Sequence, residues 1–370
     1  MIRATTAVLS TLALTAALLA AVELAVRMSG AERAVTARVS ARLYPPEPGG
    51  ENHLFATRIY DPVVQWRLRP DAWLPGRIGH INSLGLVGPE FQPRKRAGEI
   101  RILALGDSVT YGLWACGHLK FCRDQPYPEA LEARLRTRTG STRFEVIDAG
   151  VYGYSTLQGY RYYQTYLGGL GADVVTAMFG WNDHGVLLGA EGAEFRSILL
   201  RDVAGAARHL ASYRTLAGAL ALLQLPAQPA KPVIPAVYRP RVEVDDFAFN
   251  LTALVESVRA RGARPVLITE PVGPLSEPYR TGEVMQTWAL NSLPDYETYV
   301  AIHARYNDRM REVARRLGVP LVDADAEFDQ RGKADLFSPY DIVHPNHAGH
   351  ALIAELIDQR LVEQGLAPAH

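Results

Sequence analysis

The heptapeptide Gly106-Asp107-Ser108-Val109-Thr110-Tyr111-Gly112 directly follows a short apolar run, Ile100–Leu105. A serine at a strand-to-helix turn has an exposed hydroxyl, and its own amide sits at a helix amino terminus where developing negative charge is favoured. That is a nucleophile's position, and equally the position of a helix-capping serine. A serine alcohol needs a base, and an imidazole with an ordinary pKa of about 6.5 suits the task at neutral pH. The segment Ser338-Pro339-Tyr340-Asp341-Ile342-Val343-His344-Pro345 offers one in His344, with Asp341 three residues earlier able to fold back and fix the ring's tautomer. Two other segments offer donors for an oxyanion. Gly153, in Asp148-Ala149-Gly150-Val151-Tyr152-Gly153, lets the backbone approach a reacting group closely; Asn182, in Gly180-Trp181-Asn182-Asp183, carries a neutral, fixed amide. Both are also ordinary turn residues.

These groups matter only if one scaffold brings them together. After Gly98 short apolar runs alternate with longer amphipathic ones, the pattern of a parallel sheet flanked by helices. The expected strands are Ile100–Leu105, Phe144–Asp148, Val174–Phe179, Pro265–Thr269 and Pro320–Asp323. The expected helices are Pro128–Thr139, Leu157–Leu167, Asp246–Arg261, Tyr296–Leu317 and Ala348–Gln364. Ligands of open parallel sheets bind outside the carboxyl ends of the strands. Ser108, Gly153 and Asn182 each follow one of the first three strands, and Asp341 and His344 precede the last helix.

Residues 185–245 are too many for an ordinary connection and form an insertion, with a helical run over Val203–Leu225 and prolines at 226, 229, 232, 235 and 240. The insertion helix either packs on the domain or caps the site or touches a membrane. Before Gly98, recurring turn residues separate short segments and suggest a small β-rich lead-in. The division is therefore 1–27 as anchor or signal, 28–98 as a lead-in packing on the catalytic domain, and 99–370 as that domain with its insertion.

From Ala4 to Val22 there is no charged residue, and about 19 residues at 1.5 Å each approach the thickness of a bilayer's hydrocarbon core. No clean small-x-small cleavage site follows, which favours an anchor over a removed signal peptide. Residues Glu23 to Arg42 read as a helical continuation ending at Pro45-Pro46. The arginines at 27, 33, 38 and 42 favour a cytoplasmic body, whereas the short charged start before an apolar stretch is also how secretory signals begin. With 39 Lys+Arg against 39 Asp+Glu and no basic stripe, a nucleic-acid partner is not expected. A composition of 48% hydrophobic and 21% charged residues excludes wholesale disorder.

The order of these blocks resembles the SGNH (GDSL-type) hydrolase superfamily over about Arg101 to Leu361. The four family positions fall on Ser108, Gly153, Asn182 and His344, with Asp341 preceding the histidine. The segment Ile81-Asn82-Ser83-Leu84-Gly85-Leu86 is similar to the lead-in of membrane-anchored bacterial members. The resemblance implies a three-layer α/β/α, flavodoxin-like fold on a five-stranded parallel sheet and hydrolysis of an ester without metal or organic cofactor. In it Ser108 attacks the acyl carbonyl, His344 is base and then acid, and Asp341 orients His344. Ser108, Gly153 and Asn182 form the oxyanion hole.

Between the serine turn and the next helix the chain is longer than the family usually shows. Cys116 and Cys122 there can close a disulfide, which requires an oxidising compartment, can join His118 at a metal with too few ligands, or can stay free. The cysteine pair and the family's habit of export turn the expected orientation outward. The domain then lies in the periplasm or outside the cell, on the inner membrane through its N-terminal helix or secreted if that segment is removed. The expected function is a serine esterase acting on carboxylic O-acyl esters, O-acetyl polysaccharide among them. Acyl transfer or lipase/lysophospholipase action by the same residues is the first alternative, and a noncatalytic glycan-binding or assembly module the second.

Overall fold

The structure, a computed structural model, describes residues 2–44, 57–74, 78–117, 120–185, 205–225, 237–282 and 293–367. His118, residues 186–204 and 226–236 of the insertion with Pro226, Pro229, Pro232 and Pro235, and the Pro45-Pro46 pair lie outside the described residues. The chain forms two compact units, one of residues 1–67 with 197–231, the other of residues 68–196 with 232–370.

In the first unit the apolar run forms a helix, α1 (Ile2–Ser29), followed by α2 (Ala31–Leu43). Within α1, Leu9–Ser29 is long and apolar enough to cross a membrane. The expected unbroken continuation to Arg42 is interrupted because Gly30 adopts a left-handed conformation (φ 69°), which ends one helix and starts the next. A short ribbon follows, β1 (Arg58–Asp61) and β2 (Gln65–Leu68).

The second unit opens with isolated bridges, Trp73 with His80 and Ile81 with Val87, before β3 (Ile100–Gly106) begins the main sheet. Then come α3 (Ser108–Tyr111), a small hairpin β4 (Trp114–Gly117) and β5 (Lys120–Cys122), α4 (Tyr127–Thr139), β6 (Phe144–Gly150), α5 (Thr156–Tyr162) and β7 (Val174–Met178). The insertion contributes α6 (Ala211–Gln224), which belongs to the first unit; the expected run from Val203 is broken at His209-Leu210 ahead of it. The chain closes with α7 (Val244–Ala260), β8 (Arg264–Ile268), α8 (Glu277–Arg280), α9 (Tyr296–Leu317), β9 (Leu321–Val322), α10 (Ala324–Arg331) and α11 (His347–Glu363).

The main sheet has the order β6-β3-β7-β8-β9, all parallel. Numbered by appearance within the sheet, this is 2-1-3-4-5, the doubly wound order with its switch point beside the first strand. Each strand is short, rich in Val, Ile, Leu and Ala, and buried on both faces, as a sheet covered by helices requires. Helices α4 and α11 pack on each other, and α7 packs on both α5 and α9. Ile102, Ala104, Val266 and Ile268 lie in one core with Leu131 and Leu135 of α4 and Ile353 and Ile357 of α11. The helix α11 starts sharply because the Asn346 side chain accepts from the amides of Ala348 and Gly349, a cap that contributes about 1 kcal/mol. That start fixes where the chain just before it, carrying His344, must lie.

Candidate active site

Parallel register places three loops on one edge of the sheet. Gly106 at the end of β3 lies opposite Gly150 of β6 on one side and Met178 of β7 on the other. The residues that follow these strands therefore emerge side by side. A β-carbon on Gly150 would collide with the backbone of Tyr111, so the glycine lets α3 settle over the strand end. Asp107 caps α3, its Oδ1 accepting from the Val109 amide at 2.9 Å, and Ser108 is the first residue of that turn.

Ser108 Oγ lies 2.8 Å from His344 Nε2. His344 Nδ1 faces Asp341, 2.9 Å from Oδ2 and 3.1 Å from Oδ1. A carboxylate only accepts, so Nδ1 carries the proton of the neutral ring and Nε2 is left as acceptor for the serine O–H. The aspartate is itself held: Oδ1 accepts from the amides of Val343 (3.0 Å) and His344 (2.9 Å), and Oδ2 from the amide of Ala115 (2.8 Å). Burial alone would raise the Asp341 pKa, but the charge of His344 and the hydrogen bonds from His344 and Ala115 outweigh it and hold the carboxyl below its usual range. Burial would likewise lower His344; the Asp341 charge and hydrogen bond outweigh that and raise it above the ordinary histidine value. The arrangement can take a proton from the serine and stabilise the resulting imidazolium.

Asn182 lies beyond the end of β7 and donates from Nδ2 to Asp107 Oδ2 at 2.7 Å, which orients its amide beside the serine turn. Its neighbour Asp183 accepts from the Thr156 amide at the start of α5, fixing the loop. Gly153 has φ 83°, a left-handed conformation that favours glycine. Its carbonyl accepts from Arg241 at 2.7 Å, and the other guanidinium nitrogen reaches Gln158 Oε1. Backbone and amide N–H groups on this edge can receive a developing oxyanion.

Several groups that shape the site are invisible to motif reading. Glu270, just past β8, is fully buried and accepts from the Trp181 amide at 2.8 Å. Burial, with the Asp107 charge adding to it, raises its pKa well above the usual carboxylate range. Burial also lifts Asp107 itself to about 6, against opposing contributions from the Val109 amide, His344 and Asn182. An acidic residue immediately after a strand was the available signal for Glu270; nothing local marked Arg241.

The Cys116–Cys122 disulfide closes the hairpin of β4 and β5, and Trp114 pairs with Cys122 across it. The next residue, Arg123, donates to the Tyr111 carbonyl (2.8 Å) and to Asp148 (3.0 Å), so the hairpin's base is tied to α3 and β6. From this hairpin Ala115 reaches Asp341. Ala115→Pro, which deletes that N–H, is expected to lower kcat roughly tenfold, the scale of one hydrogen bond to a charged group, with KM for a small ester unchanged. Ala115→Gly keeps the N–H and is expected to retain activity; steady-state kinetics on the pair decides. Equal losses in both would reduce the hairpin to a structural role.

His347 and His350, which also invite a metal reading, lie in α11, where buried His350 Nδ1 accepts from the Tyr127 amide at 3.3 Å. Among the described residues no group of His, Cys, Asp and Glu is arranged to hold a metal ion.

Residues 104–352 match the model of the GDSL-like lipase/acylhydrolase family. No curated protein matches the chain. Among solved structures, a lipase/acylhydrolase from Enterococcus faecalis is 16% identical with a TM-score of 0.44, covering 72% of this chain and 96% of its own. A catalytic mutant of Axe2, an acetylxylan esterase from Geobacillus stearothermophilus, is 16% identical with a TM-score of 0.42, covering 73% and 95%. LAE5, an α/β hydrolase from the metagenome of Lake Arreo, is 21% identical with a TM-score of 0.42, covering 74% and 98%.

Proposed function

The chain belongs to the GDSL-like lipase/acylhydrolase family and is an ester-hydrolysing enzyme, and from that premise we propose that it cleaves carboxylic O-acyl esters through an acyl-serine intermediate on Ser108. The observation that carries this reading is the unbroken hydrogen-bonded line from Ser108 Oγ through His344 to Asp341. Ser108 Oγ adds to the acyl carbonyl carbon while His344 Nε2 takes the hydroxyl proton. The carbonyl electrons move onto oxygen, where the amides of Ser108 and Gly153 and the Asn182 side chain receive the charge. As the carbon–oxygen ester bond breaks, the imidazolium returns the proton to the leaving alcohol. Water then adds to the acyl-serine, giving its proton to His344, and collapse expels Ser108 and frees the acid. Each oxyanion donor is expected to supply about 3 kcal/mol of transition-state stabilisation.

The same reading places the catalytic unit on a tether, α1 spanning the inner membrane. The Cys116–Cys122 bond supports an oxidising side, periplasmic or extracellular. Acetylated polysaccharide is the substrate class to test first. Purified full-length protein in detergent is expected to release acid from short-chain 4-nitrophenyl esters and acetate from acetylated oligosaccharides. Acyl groups appearing on an added sugar instead of in water would reassign the second step to transfer, and release of fatty acid from phospholipid alone would make it a lipase. No turnover of any ester would overturn the proposal.

A further inference from the structure

The insertion helix α6 has two contrasting faces. One is seated on α2 and α1: a β-carbon on Gly218 would strike the Val35 side chain, Arg214 pairs with Glu32 at 2.6 Å, and Arg42 donates to the Leu222 carbonyl at 3.3 Å. The other face carries Tyr213, Leu216, Leu220 and Leu223, spaced at i, i+3, i+7 and i+10 and therefore on one stripe. All four are exposed: Leu216 by 62%, Leu220 by 49% and Leu223 by 83%, with Tyr213 at 40%. Arg214 is the helix's sole ionisable group besides Tyr213, and it is spent on Glu32. The outward stripe is thus uncharged and apolar apart from the tyrosine hydroxyl and the exposed Gln224 amide at its carboxyl end.

Three observations say what covers this stripe. First, the amino terminus of α6 is fastened to α1 by Glu23, whose carboxylate accepts from the Ala211 amide (2.8 Å), the Ser212 amide (3.0 Å) and the Ser212 hydroxyl (2.7 Å). Glu23 is the first charged residue after the apolar run Ala4–Val22, so this attachment lies at the end of the uncharged part of α1. Second, Gly30 breaks the helix just beyond, so α2 and the α6 seated on it need not continue along the membrane normal. Third, α2 exposes Arg33, Arg38 and Arg42, cations suited to anionic headgroups beside a partly inserted apolar face. An apolar stripe flanked by arginines and tied to the foot of a spanning helix has the composition of an interfacial helix.

We propose that α6 is a second membrane-contacting element, lying in the interface with Leu216, Leu220 and Leu223 among the acyl chains and the α2 arginines at the headgroups. The inference rests on the tether reading of α1. It gives the arginines that follow the anchor a role in lipid contact, independent of the topology they would otherwise signal.

The test uses the full chain in nanodiscs containing anionic phospholipid. Leu220→Cys is labelled with a nitroxide; the native cysteines are joined to each other and do not react under non-reducing conditions. The expected result is a label that collides preferentially with dissolved oxygen over the water-soluble nickel chelate NiEDDA, relative to free nitroxide in buffer. Leu14→Cys, labelled in the same way, reports on the anchor. Leu14 in the oxygen-rich core with Leu220 freely accessible to the nickel chelate overturns the proposal and leaves the tether standing. Both labels in water overturn the tether and the proposal with it. A Leu220 label shielded from both reagents means that protein covers the stripe, which also overturns it; Leu216→Cys and Leu223→Cys repeat the measurement should Leu220→Cys fail to fold.

Discussion

Ser108→Ala is expected to lower ester turnover by on the order of 10⁵-fold or more while leaving the thermal transition within a few degrees of the parent. Only the hydroxyl is removed, and it is hydrogen-bonded to His344 Nε2 at 2.8 Å. The residue is 9% exposed at the sheet edge, so the change deletes a methylene-borne oxygen without opening a core cavity. The turn itself is held from elsewhere, by the Asp107 cap on Val109. Circular dichroism and calorimetry should therefore be nearly superimposable for the two proteins while hydrolysis is lost. Retained turnover would mean that the hydroxyl is a helix-start residue and that another group performs the attack.

The second large effect is expected from Asp341→Asn, a loss on the order of 10³–10⁴-fold in kcat/KM at neutral pH. An asparagine in place of Asp341 can present an N–H toward His344 Nδ1, favouring the tautomer in which Nε2 carries the proton and can no longer accept one from Ser108. The pH profile separates this from simple misfolding. In the parent protein the Asp341 charge outweighs burial and raises the His344 pKa, so activity rises with pH along a limb whose midpoint lies above the ordinary value of about 6.5. Without that charge, burial is the dominant influence and disfavours the imidazolium, so the midpoint of the residual activity moves to lower pH. A residual profile with an unmoved midpoint would show that Asp341 does not govern the titration of the base.

Much of the catalytic scaffold was legible because buried parallel strands leave a strong signature. Ile100–Leu105 and Val174–Phe179 are short, apolar and rich in β-branched residues, and each is followed by glycine and polar residues at the sheet edge. Once strands were placed, the position of Ser108, Asn182 and His344 relative to their ends followed from topology. What lay beyond reach was contact made by backbone or by distant chain. The Ala115 amide that holds Asp341 leaves no mark on the side-chain pattern, since any residue but proline supplies it. Arg241, 88 positions from the Gly153 carbonyl it holds, looks like any surface arginine in the sequence. Glu270 owes its raised pKa to burial and to the charge of Asp107, which is remote in sequence. The seating of α6 on α2 depends on a glycine facing Val35 and on an ion pair across 182 residues, and neither has a local period. The break at Gly30 was readable in principle, but an isolated glycine within a helical run does not announce a left-handed φ.

Acylation of Ser108 is the step on which the proposed hydrolysis depends. Intact-protein mass spectrometry after brief mixing of the full chain with a panel of acyl esters tests this most directly, with quenching in acid and peptide mapping of any adduct. The predicted result is a mass increase equal to one acyl group, located on the peptide containing Ser108, absent from Ser108→Ala and strengthened in His344→Ala only where the deacylation step is slowed more than the attack. Hydrolysis by the parent protein with an adduct mapping to any other residue, or with turnover undiminished in Ser108→Ala, would contradict it.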